Sequence, residues 1–208
     1  MTRIESTSAT LKPQKKKKII PYVMAGDPNP SNFVGLLHDL VKHGADMIEV
    51  GLPFSDPMAD GPTVALAGER ALAAGTSTRD ALKMVAEFRE QDSQTPIILM
   101  GYLNPVEIIG YDKFVALCEQ SGVDGILMVD LPPSEAGSFT QHLTEHSMNE
   151  IFLLSPTTLP DRRAQVLAHC GGYINYISLK GVTGSATLDT DDVAKQVQAI
   201  KAETDLPV

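Results

Sequence analysis

The sequence predicts an α/β protein whose strands form a (β/α)8 barrel, also called a TIM barrel. Apolar runs of short length alternate with longer helical stretches along most of the chain. The apolar runs lack the polar alternation of one-sided antiparallel strands, which is typical of parallel strands buried on both faces. Polar side chains follow nearly every run, as they do at the carboxyl ends of barrel strands. These residues are Asp27, Glu49, Asn104, Asp130, Ser155 and Ser178.

The alternative architecture is an open, doubly wound sheet. It is disfavoured because no G-x-G-x-x-G follows the first apolar run. A closed barrel of this class needs eight strands, whereas the chain supplies six runs and the start of a seventh at "LPV". We therefore assign residues 1–18 to an N-terminal segment. Residues 19–208 are assigned to a TIM-barrel domain that is incomplete at its C-terminus and ends near the start of strand seven.

The order of elements follows from the periodicity of the apolar residues. Strands are predicted at "IIPYVMAG", "ADMIEVGLP", "PIILMGYLN", "GILMVDLP", "EIFLLSP" and "YINYISLKG". Helical spacing occurs in the segments between them, beginning with "NFVGLLHDLVKHG" and followed by Val64–Ala73 and Thr78–Gln91. Ser77 or Thr78 and, later, Ser134 are expected helix caps. The first residues, to about Gln14, are polar and predict no regular element.

Composition and charge exclude several functions. The chain has 208 residues, 43% of them hydrophobic, and a net charge of −9. An acidic surface repels phosphate backbones and anionic membranes, so we expect neither nucleic acid nor a membrane as partner. The basic run Lys15–Lys18 is interpreted as a solvent-exposed segment that precedes the first strand. Neither a span of about 20 apolar residues nor a signal segment is found, which predicts a cytoplasmic location.

The sequence predicts no metal site and no disulfide. Cys118 and Cys170 are far apart and form no C-x-x-C, and Cys118 has the spacing of a helical core residue. His142, Glu145 and His146 spell H-x-x-E-H, a zinc-peptidase pattern. They fall in a helix that would lie outside the barrel, where no third ligand is expected, so we interpret them as a solvated helix rim.

Candidate catalytic groups lie in the stretch "IEVGLPFSDPMADGPT", which carries Glu49, Asp56 and Asp60. Glu49 ends a buried strand and should point into the barrel mouth, where desolvation raises a carboxyl pKa and suits acid–base catalysis. A structural carboxylate is the alternative for Glu49, and an Asx-turn is the alternative for the two aspartates. In "SLKGVTGSAT", Gly181 and Gly184 would let backbone N–H groups hold a phosphate, unless the segment is an ordinary flexible loop.

Five segments together resemble the tryptophan synthase alpha subunit family. They are "IPYVMAGDPNP", "GADMIEVGLPFSDPMADGPT", "LMGYLNPV", "ILMVDLPPSEA" and "SLKGVTG". Their order agrees with the family from about Lys18 onward, and "GLPFSDPMADGPT" is the most specific of them.

The resemblance implies a barrel lyase of tryptophan biosynthesis. Such an enzyme cleaves indole-3-glycerol phosphate to indole and glyceraldehyde 3-phosphate in a retro-aldol reaction. The expected partner is a beta subunit in an alpha2beta2 assembly. Pyridoxal phosphate belongs to that partner, so no cofactor is expected in this chain.

The resemblance also implies roles for individual residues. Glu49 would be the general acid/base, and Asp60 would balance the positive charge that develops at the indole nitrogen. The implied substrate-binding residues are Tyr22, Met100, Tyr102, Leu127, Leu153, Thr183 and Gly184. The implied partner-interface residues are Pro53, Asp56, Pro57 and Asp130. For the pocket residues, ordinary core packing is the alternative reading.

One position departs from the family pattern. Many members have an aromatic residue where this chain has Asn175. Either the adjacent Tyr176 compensates, or the indole pocket is looser on that side.

Three other functions remain open at this point. The chain could be a non-catalytic subunit that only activates a beta partner. It could be another phosphate-binding barrel, such as a sugar-phosphate isomerase. It could also release indole as a free-standing enzyme without any partner.

Overall fold

A computed structural model describes residues 1–14, 17–178 and 189–208 of the chain, which form a curved parallel sheet with helices on its outer side. Five strands are hydrogen-bonded in the order β1-β2-β3-β4-β5, and a second parallel pair joins β6 to β7. The strands are β1 Tyr22–Met24, β2 Ile48–Gly51, β3 Ile97–Gly101, β4 Gly125–Met128, β5 Asn149–Glu150, β6 Leu153–Leu154 and β7 Asn175–Tyr176.

The structure confirms the six predicted strand positions. Strands β5 and β6 both belong to the predicted run "EIFLLSP", although β5 begins one residue before it, at Asn149. The backbone between them stays in register, because Ile151 N donates to Ile126 O at 2.8 Å. Ile174 N, just before β7, donates to Pro207 O at 2.8 Å. The segment "LPV" therefore lies beside the sixth run, where a seventh barrel strand would begin.

Helices follow the strands along the described residues. Most of the predicted helical segments are confirmed, and Ser77 caps α4 with a capping box to Asp80. Their bounds are α1 Arg3–Leu11, α2 Phe33–Lys42, α3 Pro62–Ala73, α4 Thr78–Arg89, α5 Leu103–Ile109, α6 Tyr111–Ser121, α7 Gly137–Glu145, α8 Pro160–His169 and α9 Thr190–Lys201.

The predicted cap at Ser134 is wrong. Helix α7 begins at Gly137, and Ala136 is its N-cap. The chain first makes a tight turn in which Glu135 N and Ala136 N both donate to Pro132 O, at 2.9 and 3.1 Å. Ser134 lies inside that turn, so its side chain cannot cap the helix.

Helix α1 was not predicted from the weakly patterned N-terminus. Thr2 and Glu5 form a capping box at its start, and Ile4 is fully buried. Ile4 belongs to a cluster that we call the barrel interior, which consists of Ile4, Met47, Ile98, Leu127, Ile151 and Tyr173. The helix thus covers the amino-terminal end of the strands. The division of the chain at residue 18 stays a prediction.

An ion-pair network around the buried carboxylate of Asp124 holds α1 in place. Asp124, just before β4, accepts hydrogen bonds from Arg3 Nη1 at 2.8 Å, Arg89 Nη2 at 2.7 Å and Ile97 N at 2.8 Å. Asp124 is only 5% exposed. Removing one partner from such a network leaves a buried charge uncompensated, which is strongly destabilising.

The strands separate two apolar layers. Side chains alternate between the faces of a strand, so Ile48 and Val50 pack outward against α2 and α4, in the main core cluster with Phe33 and Phe88. Glu49, between them, faces the other way, into the barrel. This alternation positions the candidate catalytic side chain.

Several minor predictions can be compared with the structure. Cys118 is buried in the outer layer, as predicted, and both cysteines are free thiols. His142 and His146 pair with Asp112 and Glu119 of α6, at 3.1 and 2.8 Å. Within the described ranges there is no cluster of three or more potential metal ligands.

No helix among the described residues has the length and apolarity to cross a membrane. The interpretation of Lys15–Lys18 falls partly outside these residues.

Candidate active site

Glu49 lies inside the barrel and is 7% exposed. Its Oε1 accepts a hydrogen bond from the Tyr173 hydroxyl at 2.5 Å and a longer one from Asn175 Nδ2 at 3.4 Å. Burial raises the pKa of Glu49 above its ordinary value, and the two hydrogen bonds oppose that rise. The geometry therefore suits a carboxyl group that holds a proton and releases it locally.

Asp60 is part of the loop between β2 and α3, which runs over the carboxyl end of β3. Its Oδ1 accepts a hydrogen bond from the Tyr102 hydroxyl at 3.1 Å, and the same hydroxyl accepts one from Ala59 N at 3.0 Å. Burial raises the pKa of Asp60, whereas the bond from Tyr102 lowers it. Through these two hydrogen bonds, Tyr102 holds the loop and Asp60 at the barrel mouth.

Tyr22, on β1, lies next to Glu49 across the sheet. Burial raises the pKa of its phenol, and the negative charges of Asp60 and Glu49 raise it further. Tyr22 is the register partner of Glu49 in the β1–β2 pair, so the two side chains lie on the same face of the sheet. Gly51 makes room for this ring, since a Cβ at that position would lie 2.1 Å from the phenol oxygen.

The structure brings together the described residues that were predicted to bind substrate. Leu127 is fully buried in the barrel interior, and Met100 and Leu153 pack against the same cluster while staying partly exposed. Tyr22 and Tyr102 lie nearer the rim, beside the acids. Contact of these five residues with substrate stays a prediction. Gly181, Thr183 and Gly184 lie outside the described residues.

The residues predicted at the partner interface are in different environments. Asp56 is exposed and Pro57 is partly exposed, but Pro53 is buried within the chain. Asp130 Oδ1 accepts a hydrogen bond from Leu103 N at 2.8 Å, which joins the end of β4 to the start of α5. Contact of these four residues with a partner stays a prediction.

Two exposed apolar side chains were missed by the sequence reasoning. Met58, in the loop before α3, and Ile108, near the end of α5, are each 81% exposed. The loop and α5 are neighbours because Tyr102, which precedes α5, bonds to Ala59. For Met58 the sequence offered a sign of exposure, because a large apolar residue stands there in a Pro- and Gly-rich loop.

Tyr173 was also missed, although strand alternation could have found it. Residues two apart on a strand share a face, so Tyr173 and Asn175 both reach Glu49. Tyr176 packs in the outer layer instead, where burial and the charge of Asp192 raise its pKa. Tyr176 therefore does not replace the missing aromatic ring at position 175.

Comparison with known proteins agrees with this geometry. A family model described as "Tryptophan synthase alpha chain" matches residues 8–208. The tryptophan synthase alpha chain of Psychrobacter arcticus is 92% identical over 208 residues, which are 100% of this chain and 75% of that relative. The corresponding protein of Acinetobacter baumannii (strain AYE) is 57% identical, with 100% and 78% covered.

Solved structures give the same result. Tryptophan synthase subunit alpha from Legionella pneumophila str. Paris superposes with a TM-score of 0.91 at 44% identity, covering 100% of this chain and 76% of that one. A structure of Mycobacterium tuberculosis tryptophan synthase gives 0.91 at 33% identity, with 100% and 79% covered. The fold and the acid-lined mouth thus define a TIM-barrel enzyme.

The chain belongs to the tryptophan synthase alpha chain family. Membership makes it a carbon–carbon lyase of tryptophan biosynthesis, which confirms the expected class of activity. It has no cofactor of its own, because pyridoxal phosphate belongs to the beta chain with which this family forms complexes. The sugar-phosphate isomerase alternative is therefore wrong.

Gly51→Ala tests whether the placement of Tyr22 matters for turnover. The added Cβ would displace the phenol from its place beside Glu49, and a misplacement of about 1 Å can cost about 100-fold in rate. We expect a loss of that order in indole release, with a modest loss of stability of about 1–3 kcal/mol.

The matched control is Gly35→Ala in α2, where no neighbouring atom lies within 4 Å of the added Cβ. It should keep wild-type turnover and gain about 0.5–1 kcal/mol of helix stability. A folded Gly51→Ala variant with unchanged turnover would contradict the role of Tyr22.

Proposed function

We propose that Glu49 and Asp60 perform the cleavage of indole-3-glycerol phosphate. The observation that carries this proposal is the pair of carboxyl groups on β2 and on the loop that follows it: Glu49 is buried on the inner face, and Asp60 is held at the mouth by the hydroxyl of Tyr102. Burial raises the pKa of both groups. One acid is held inside a strand and the other in a loop. A substrate between them would have a carboxyl group on each side.

Glu49 is the general acid and base. Its protonated form donates a proton to the indole carbon that bears the glycerol chain, which makes the ring a leaving group. The carboxylate then removes the proton of the neighbouring side-chain hydroxyl as the aldehyde forms. The electrons of the broken carbon–carbon bond neutralise the ring, and Glu49 returns to its protonated state.

Asp60 stabilises the intermediate charge. Protonation of the ring carbon places positive charge on the indole N–H, and a carboxylate fixed beside it lowers the energy of that state. The hydrogen bond from Tyr102 to Oδ1 keeps Asp60 oriented and favours its ionised form. Oδ2 stays available to the indole N–H.

The remaining parts of the substrate have proposed sites. Met100, Leu127 and Leu153 would contact the indole ring, because they line the apolar interior below the acids. Thr183 and Gly184 would contribute to the phosphate site. That assignment rests on the glycine-rich sequence "SLKGVTGSAT" and on the ability of such loops to present backbone N–H groups to an anion.

Substitution of the two acids tests the mechanism. Glu49→Gln should lower indole release by about 100- to 10,000-fold, because general acid–base catalysis contributes that much. Asp60→Asn should cost about 100-fold or more through lost charge stabilisation. Release of indole is followed spectroscopically in the complex with the beta subunit.

Glu150→Gln is the matched control. Glu150 is also a buried strand acid, 5% exposed, but it bonds to Thr140 of α7 in the outer layer. This variant should keep turnover. Full activity of Glu49→Gln would contradict the mechanism. Activation of the beta subunit by the wild-type chain without any release of indole would favour the non-catalytic alternative.

We also propose that the partner surface consists of Asp56, Pro57, Met58 and Ile108. The two 81% exposed apolar side chains support it, since exposed apolar groups at a rim are typical of interaction sites. Pro53 would shape the loop from within, and Asp130 would position α5. The assembly would be alpha2beta2 in the cytoplasm, and equal turnover with and without the beta subunit would favour the free-standing alternative.

Charge substitutions test this surface. Met58→Asp and Ile108→Lys should each weaken binding of the beta subunit by about tenfold or more, because each buries a charge in an apolar contact. Ile19→Lys is the control, since Ile19 is 60% exposed at the amino-terminal end of β1, away from the mouth. Calorimetric titration gives the affinities. Unchanged affinity in both rim variants would contradict the assignment.

A further inference from the structure

We propose that Asn175 is a positioning residue that, together with Tyr173, determines which oxygen of Glu49 carries the transferred proton. The proposal rests on the proposed function of Glu49 and goes beyond it. It concerns one carboxamide, at the position where the sequence analysis expected an aromatic ring.

Both hydrogen bonds to the carboxyl group end on the same atom. The Tyr173 hydroxyl and Asn175 Nδ2 donate to Oε1, at 2.5 and 3.4 Å. Among the described residues nothing donates to Oε2, and the side chain retains 7% exposure. An oxygen that already accepts two hydrogen bonds is the poorer site for a proton. The proton of the neutral acid therefore resides on Oε2, the atom left free for substrate.

The position of Asn175 is fixed by the sheet. Leu153 of β6 pairs with Asn175 of β7, and Asn175 N donates to Phe152 O at 3.2 Å. The short carboxamide has few rotatable bonds, so the strand backbone largely determines where Nδ2 points. Tyr173 is held two residues earlier on the same face. The two donors thus approach the carboxyl group from one wall of the barrel.

Hydrogen bonds, rather than neighbouring charges, stabilise the ionised form of Glu49. The titratable neighbours are Tyr173, on the same wall as Asn175, and Tyr22 on β1, with Asp60 beyond Tyr22. Each of these is neutral or negative at neutral pH, so none of them stabilises the Glu49 carboxylate by charge. The hydrogen bonds from Tyr173 and Asn175 are what lower its pKa against burial. Loss of the amide donor should raise that pKa further.

The test compares three variants of the full protein in complex with the beta subunit. Asn175→Leu removes the donor but keeps a side chain branched at Cγ, and Asn175→Gln retains an amide. Tyr176→Phe is the matched control, because Tyr176 is the next residue but packs in the outer layer. The steady-state kcat and KM for release of indole are measured between pH 5 and about 9, where a shifted carboxyl pKa would be visible.

For Asn175→Leu, kcat should fall about tenfold, a part of what a general acid contributes, while KM stays within about twofold. The part of the pH–kcat profile that depends on Glu49 should move to higher pH, because a hydrogen bond that favours the carboxylate is lost. Asn175→Gln should recover a large part of kcat, and the Glu49-dependent part of its pH–kcat profile should return toward that of the wild type. Tyr176→Phe should match the wild type in kcat and in the pH–kcat profile.

The outcomes separate this proposal from the one on which it rests. If Glu49→Gln retains turnover, the acid–base role itself is wrong. If Glu49→Gln is inactive but Asn175→Leu has a wild-type kcat and an unmoved pH–kcat profile, only the positioning role is overturned. A change confined to KM, or an Asn175→Gln variant no better than Asn175→Leu, would also overturn it.

Discussion

Burial of one carboxyl group, Glu49, is the constraint on which the site depends. A parallel barrel strand is apolar on both faces, so an acid on its inner face loses its hydration and must find hydrogen-bond donors inside the barrel. Tyr173 and Asn175 supply them, both at Oε1. Because burial disfavours the charged form, the pKa of Glu49 is raised. A group that donates and accepts a proton near neutral pH requires such a raised pKa.

The amino-terminal end of the barrel contributes to that burial at a distance. Ile4 fills the interior below Leu127 and Tyr173, and Arg3 is anchored to the buried carboxylate of Asp124. Were α1 absent, water could reach the interior from below, and the desolvation of Glu49 would weaken. A helix outside the catalytic mouth thus sets part of the electrostatics within it.

The sequence predicted much of this arrangement for a physical reason. Two-sided burial makes parallel strands recognisable as apolar runs, so all six positions were located. The place of Glu49 at the end of such a run predicted that its side chain points into the barrel. Helix α1 was missed because a single buried residue, Ile4, gives no periodicity. The capping-box pattern of Thr2 and Glu5 was present in the sequence and could have indicated the helix start. Ser134 failed as a cap because a preceding turn delays the helix.

The contacts within the site were less predictable. Tyr173 lies 124 residues from Glu49 along the chain. Strand alternation could have placed it on the inner face, but only closure of the barrel brings its hydroxyl to this carboxyl group. The same holds for Tyr102, which reaches Asp60 across 42 residues. Residue types at strand ends could therefore be proposed as catalytic from the sequence, but their hydrogen-bond partners required the three-dimensional structure.

The ionisation of Glu49 is the most direct test of the account. Carbon-13 NMR titration of protein labelled at the glutamate carboxyl carbons, with Glu49→Gln to assign the resonance, gives its pKa in the absence of turnover. We predict a pKa clearly above the ordinary value of a glutamate side chain, because burial raises it. A titration at or below that value would show that the carboxyl group is solvated in the protein, and the proton-transfer mechanism would not hold.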